Sequence, residues 1–457
     1  MEALHQIALG LGLISILCLT VNPAVGMVAV FIAKPFIDAS WEHQFLFGLR
    51  LTETFSALIA LILLAHMVVA RNDKSLMRMP LKGMWLAYSV YILIFSMVIA
   101  YNDELKTGAN IFFRYINGII GFYFIQAYFR ESKRFKWFLW ALILGGLFPM
   151  ALGLYQALTG FQWQEAQAEG LVRNTGIWHD GVNIRTYALQ TIFGLLLYSA
   201  LYVKAWNIPL KAMTLSYLAI STVVMVRVYS KAAFLTFALW VLCWTILRRQ
   251  FAVLAVLSIA GLLVTTYYAG DLLNQIGTLF HKELGFLSGK VEGKLTFQGR
   301  WFGWVEMMNE WERLPAMSQW FSSGKMATGA HNDFLQMLFH GGIVGLVMYL
   351  SLLIVIGVRI VKNLLVKADE LAVAALMVYL MWLIDSIGLV PSAYPSEQWL
   401  VWGLIGMSLR MRADAASQEP IREAVLGQDD SPEKSSLIGT KVQRRYPLLS
   451  DPRGGST

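Results

Sequence analysis

The chain has 457 residues, of which 57% are hydrophobic and only 14% charged. Apolar blocks long enough to span a bilayer exclude a water-soluble globular protein. The formal net charge of +8 lies mostly in short loops between those blocks, where it sets membrane topology; it does not mark a nucleic-acid binder.

The chain opens Met1-Glu2-Ala3 without a basic stretch, so it reads as an uncleaved membrane segment. Residues 5–38 hold two apolar runs broken by Asn22-Pro23, either two helices or one broken, re-entrant element. Further spans are predicted at 50–70, 82–100, 109–129, 137–158, 186–203, 211–228, 232–247, 251–268, 336–358, 371–390 and 396–411. The expected fold is an all-α polytopic integral membrane protein with 12–13 transmembrane helices. Cys18 and Cys243 lie inside apolar blocks and read as packing residues without a disulfide.

Basic residues choose the orientation. Arg71, Lys74, Arg78 and Lys82 crowd one loop, and Arg130, Lys133, Arg134 and Lys136 another. Lys204 with Lys211, Arg248 with Arg249, and Arg359, Lys362 and Lys367 mark three more. All five loops fall on one side when the spans alternate, and the positive-inside rule makes that side the cytoplasm. Segments 160–185, 227–231, the long loop 269–335 and the turn at 391–396 then lie outside. With two N-terminal spans the N-terminus is outside; with one broken element it is inside. The membrane domain covers 1–411, and the polar tail 412–457 is expected to be a disordered cytoplasmic extension.

The candidate chemistry gathers on the outer side. His331 sits at the mouth of a membrane helix, where an imidazole can take a proton from a hydroxyl or simply orient the helix. Asn332 suits capping or sugar contact, and Asp333 suits capping. Arg173, Arg185, Arg227, Lys231 and Arg300 are outer cations. Guanidinium groups grip phosphate oxygens in pairs, while snorkelling to headgroups is the plainer use. Trp301, Trp304, Met308 and Trp311 form an apolar stripe on a helix expected along the membrane surface, chiefly as an anchor. His179-Asp180 reads as a solvated loop pair or as a second acid/base or sugar contact. Asp385 lies in an apolar block, where a carboxylate pairs with a cation or lines a cavity. Gly341, Gly342 and Gly345 suit close helix packing. There is no Gly-rich loop with Lys-Ser/Thr, no HExxH, no CxxC pair and no outer Asp-x-Asp, so no cofactor or metal is expected.

Four pieces carry a family resemblance: Arg173-Asn174-Thr175-Gly176 with Asn183 downstream, Gly299-Arg300-Trp301, His331-Asn332-Asp333-Phe334-Leu335, and Gly342-Ile343-Val344-Gly345-Leu346. Together they resemble the bacterial O-antigen ligase/polymerase superfamily, whose members are GT-C-like membrane glycosyltransferases. Ser230-Lys231 departs from that pattern, where Ser-Arg is common. The resemblance implies a metal-independent, inverting glycosyltransferase of the inner membrane, with its active site facing the periplasm and its C-terminus in the cytoplasm. Its donor is a glycan on undecaprenyl pyrophosphate. His331 is the implied base, and Arg173, Arg300 and one or both of Arg227 and Lys231 hold the pyrophosphate. Asn332, Asn183, His179 and Arg185 are the candidate acceptor or sugar contacts. The acceptor is another lipid-linked repeat in a polymerase, lipid A-core in a ligase, or a protein in a third group. The His-Asn-Asp-Phe-Leu stretch looks most like those of exopolysaccharide and O-antigen polymerases. Partners beyond substrates and the bilayer are chain-length regulators or export proteins, with no nucleic acid. A glycolipid transporter or flippase is the reading from another class, but the sequence lacks the matched halves such a protein should have.

Overall fold

The computed structural model describes residues 2–46, 49–69, 79–179, 181–203, 207–249, 274–292, 296, 299–327 and 331–427, without the side chains of 46 and 412–427. The predicted span 251–268, Asp180, the loop residues Arg71, Lys74, Arg78 and Lys204, and the tail beyond 427 lie outside these residues.

The two N-terminal runs form helices α1 (Glu2–Val21) and α2 (Pro23–Asp38), parted at Asn22. Asn22 caps α2, its Oδ1 accepting the Ala24 and Val25 N–H groups at 3.1 and 3.3 Å, and Pro23 occupies the first helical position. A hairpin of β1 (Gln44–Leu46) and β2 (Leu49–Arg50) leads to α3 (Leu51–Val69), α4 (Lys82–Asn102) and α5 (Leu105–Tyr128). Next come α6 (Ser132–Gly145), α7 (Leu147–Thr159) and a second hairpin, β3 (Gln167–Ala168) and β4 (Leu171–Val172). Then follow α8 (Gly181–Tyr202), α9 (Ile208–Arg227), α10 (Lys231–Leu247) and a helix α11 at 274–287. The chain ends with α12 (Arg300–Glu312), α13 (Ala316–Trp320), α14 (Asp333–Val366), α15 (Glu370–Gly388), a 3₁₀ turn (Pro391–Ala393) and α16 (Pro395–Gly427). The backbone of α16 stays helical well past residue 411, where the sequence ends the span.

This is an all-α membrane protein. Among the described residues, seven helical stretches are long and apolar enough to cross a bilayer. Helix α4 shows why. Trp85, Tyr88, Ile92, Phe95 and Ile99 pack inward, while Leu86, Val90, Leu93, Ile94 and Met97 point out. A helix apolar on both faces is at home between a protein core and lipid. At the centre, α5 and α16 touch backbone to backbone: a methyl group on Gly121 would lie 2.7 Å from Trp399 Cα.

The bundle has two distinguishable ends. At one, Tyr202 donates to the Ser132 carbonyl, Lys136 lies over the Tyr198 and Tyr202 rings, and Arg248 reaches Ala368 O at 2.8 Å and pairs with Glu370. At the other, Trp41 stacks on His179 and Asn102 crowds Gly324. The second end carries His331.

Three features differ from the expectations above. The span at 137–158 is two helices that meet at Gly146, because Pro149 has no N–H for the Gly145 carbonyl and its ring crowds that carbonyl. Helix α14 is broken at Gly342, whose φ of 63° and ψ of −168° are not helical. Gly342 therefore supplies a chain break; Gly341 and Gly345 do the close packing, against Phe95 and Tyr91. Freed polar groups at the break find partners: Tyr91 Oη donates to Gly341 O at 2.6 Å, and the Ser323 N–H donates to Phe339 O at 3.1 Å. On α12 the buried residue is Met307, and Met308 is only half-buried. Trp304, Met307 and Trp311 pack on Ala327 and Phe339, so the inward stripe is turned one position from the expected one.

A side chain at Gly342 would need a left-handed backbone and would lie 2.4 Å from the Trp320 carbonyl carbon. Gly342→Ala should cost about 2–4 kcal/mol. Gly83→Ala, on open helix surface with nothing within 4 Å, should be neutral or stabilising by about 0.5–1 kcal/mol. Thermal unfolding of both purified variants in one detergent checks the contrast.

Candidate active site

The site is organised by the last turn of α15. Asp385 accepts both hydrogen bonds from Arg185 Nη2 and so ties α15 to α8; Arg185 and Asp385 are 1% and 0% exposed. Two residues on, the Ile387 carbonyl accepts Asn332 Nδ2–H at 3.2 Å, which fixes the residue next to His331. At Gly388 a methyl group would lie 3.3 Å from Arg300 Nη1, so the guanidinium rests on bare backbone. One helical turn thus gathers Arg185, Arg300 and the His331 segment.

The third guanidinium comes from the β4–α8 segment. Arg173 Nε donates to Val228 O at 2.8 Å, and the Asn174 N–H donates to Arg227 O at 3.0 Å, so this loop lies on the α9–α10 turn. Gly176 ends the motif with φ +63° and gives its N–H to Gln156 Oε1 at 2.8 Å. A methyl there would lie 2.3 Å from the Trp178 ring, which explains why the motif needs glycine. Burial pushes the Arg300 guanidinium below its ordinary value, and the like charges of Arg173 and then Arg185 push the same way. Arg173, Arg185 and Arg300 therefore form one cationic group. Arg185 Nε and Nη1 are buried without a hydrogen-bond partner among the described residues.

Arg185, expected among the outer cations and as a candidate sugar contact, is paired with Asp385 in this group. Arg227 and Lys231 make other contacts. Arg227 Nη1 donates to Tyr229 Oη at 3.2 Å, and Tyr229 donates to Gln275 Oε1 at 2.6 Å. Lys231 Nζ holds both Glu283 oxygens at 2.7 Å and approaches Glu169 at 3.5 Å, while Lys282 reaches Glu169 at 2.6 Å. These ion pairs hold α11 to the β3–β4 turn and the start of α10. Asn183 lies half-buried in the first turn of α8. His179 is exposed and lies against Trp41, with 4.3 Å between ring centroids.

His331 is exposed, with φ +41°, a left-handed backbone uncommon for a side-chain-bearing residue. Asn332 is the N-cap of α14, accepting the Leu335 N–H at 3.0 Å. Asp333 does not cap. It is fully buried and accepts hydrogen bonds from Tyr349 Oη at 2.9 Å and from Ser392 Oγ. The correction follows from position: once Asn332 caps, Asp333 is the first helical residue and its side chain faces the bundle.

Sequence reading missed Arg114, His340 and Glu397. Arg114 Nη1 donates to Gln336 Oε1 at 2.6 Å. His340 is buried between Tyr115 and the 322–327 loop. Glu397, 2% exposed, reaches the Asp385 carboxyl. The signal that singled out Asp385, a polar residue in an apolar block, applies to His340 and Glu397 as well. No protein-family model and no curated protein matches the chain.

Removing one partner of the Arg185–Asp385 pair leaves a buried charge, so Asp385→Ala should cost about 3–5 kcal/mol. Arg185→Met with Asp385→Leu should recover most of that loss, since a matched apolar pair leaves no orphan charge. Unfolding midpoints of the single and double variants check the sign.

Proposed function

We propose that this chain is an inner-membrane glycosyltransferase that moves a glycan from a lipid pyrophosphate onto an acceptor hydroxyl at the outer face. The observation that carries this reading is the meeting of Arg185 and Arg300 on the α15 turn that also holds Asn332 beside His331, with Arg173 close enough for its charge to act on Arg300. Cations gathered against their mutual repulsion suit a polyanion, and an exposed imidazole suits a proton acceptor.

In this reading 12–13 spans cross the membrane. The basic end of the bundle is cytoplasmic, and the end with His331 and the 269–335 loop is periplasmic. The donor is an undecaprenyl-pyrophosphate glycan. The acceptor oxygen attacks the anomeric carbon while its proton passes to His331. The bond from that carbon to the pyrophosphate oxygen breaks, and its electron pair leaves on the pyrophosphate. Arg173 and Arg300, with the buried charge of Arg185 behind them, take up the growing negative charge. Attack from the face opposite the leaving group inverts the anomeric centre. Arg227 and Lys231 brace the α9–α10 turn on which Arg173 rests. Another lipid-linked repeat is the favoured acceptor, which makes the protein a polymerase of exopolysaccharide or O-antigen units; lipid A-core as acceptor makes it a ligase.

Purified protein in nanodiscs, given undecaprenyl-pyrophosphate glycan with chelator, tests this. Wild type should build a ladder on the lipid carrier, whereas a single shift of added lipid A-core would identify a ligase. His331→Ala should lower transfer about 10²–10⁴-fold without loss of fold. Arg300→Ala should lower it about 10²-fold, and Arg300→Lys less. Absence of transfer to either acceptor, with His331→Ala still complementing in cells, would overturn the reading in favour of a transporter.

A further inference from the structure

His340 is fully buried in the first half of the broken helix α14. Its Nε2 accepts the Ala327 N–H at 3.0 Å. A backbone amide can only donate, so Nε2 carries the lone pair and the proton of the neutral ring is on Nδ1. Nδ1 lies 3.0 Å from Tyr115 Oη and donates to it. Tyr115 in turn reaches Ser392, and Ser392 donates to Asp333. Tyr349 donates to the other Asp333 oxygen at 2.9 Å and accepts from Trp382 Nε1 at 2.8 Å. Donors run from the Ala327 amide through the His340 ring to Tyr115, and Ser392 and Tyr349 both donate into the Asp333 carboxylate.

The two ends of the chain are the two ends of one short segment. Ala327 precedes His331 and Asp333 follows it. Ala327 also packs on Met307 of α12, the helix that begins with Arg300. We propose that His340 is a positioning residue whose Nε2 anchors Ala327 and so holds the segment bearing His331 at the height of the arginine group. This rests on the function proposed above. His340 does not touch the reacting atoms; it acts through Ala327.

The two ring nitrogens can be separated by substitution. His340→Gln carries an amide oxygen to the position of Nε2 and can still accept the Ala327 N–H. His340→Asn places a donor where Nδ1–H was and leaves Ala327 without an acceptor. Both variants of the full chain in nanodiscs are compared with wild type by transfer kinetics and by amide hydrogen exchange over 322–333. His340→Gln should keep kcat within about threefold of wild type and retain Ala327 protection. His340→Asn should lose protection at Ala327 and lower kcat about 10²-fold, with little change in acceptor KM, as for a displaced catalytic group. Equal kinetics for Asn and wild type, or equal losses for Gln and Asn, would overturn the proposal. Absence of transfer by wild type would defeat the functional reading instead. Exchange at Ala327 would then decide the anchor alone, and equal protection in the two variants would remove it.

Discussion

Arg185 and Asp385 place two charges in the apolar interior of the bundle, where neither is tolerated without the other. That constraint fixes the rest of the site. The pair sets the separation of α8 and α15, and with it the direction in which the last turn of α15 points. From that turn hang the carbonyl that holds Asn332 and the bare backbone on which Arg300 rests. A pair of this kind is poor evidence for added stability, because desolvation offsets most of the attraction. What it provides here is register between helices far apart in sequence. Glu397 against the same carboxyl extends that register to α16.

The membrane character and most helix positions were legible in the sequence, because apolar blocks bounded by charged loops are a strong and local signal. Breaks inside those blocks were harder. Gly146 and Gly342 lie in continuous apolar runs, and hydropathy is blind to backbone conformation. Pro149 was a visible cue for the first break. The second depends on Tyr91, the Phe339 carbonyl and the Trp320 backbone meeting at one point, and no local pattern contains that. The outer arginines could be named as a class from topology. Which of them meet depended on the α15 turn, where Arg185 and Arg300 come together, while Lys231 belongs to an ion-pair clamp. The α12 stripe was read one residue out of phase, because Met307 and Met308 are equally apolar and only packing chooses between them.

The break at Gly342 bears on why His331 stands where it does. A continuous α14 would offer no pocket at its N-terminal end for α13 and the 322–327 loop. With the chain bent, the Trp320 backbone seats on Gly342 and the loop returns over the first half-helix, where Ser323 and Ala327 bond Phe339 and His340. Irregular backbone at such depth persists only where every polar group finds a partner, and here Tyr91, Ser323 and His340 supply them. The half-helix thus serves as a floor for the loop that bears His331.

Lysine and arginine are used differently around this floor, and the difference follows from their chemistry. Lys231 is a point charge matched by Glu283 and Glu169, with Lys282 closing the set; attraction and repulsion balance locally, and the cluster behaves as a clamp. Arg173, Arg185 and Arg300 are planar groups set near one another, with Asp385 held by Arg185 alone among the described ion pairs. Such a group lies higher in energy without an anion than with one, and its directional donors favour an oxyanion of fixed geometry over bulk counterions. On the proposed reading the lipid pyrophosphate relieves that repulsion most when it carries the most charge, as its bond to the glycan breaks. The like charge that Arg173 and Arg185 press on Arg300 would then favour departure of the leaving group over binding of the intact donor.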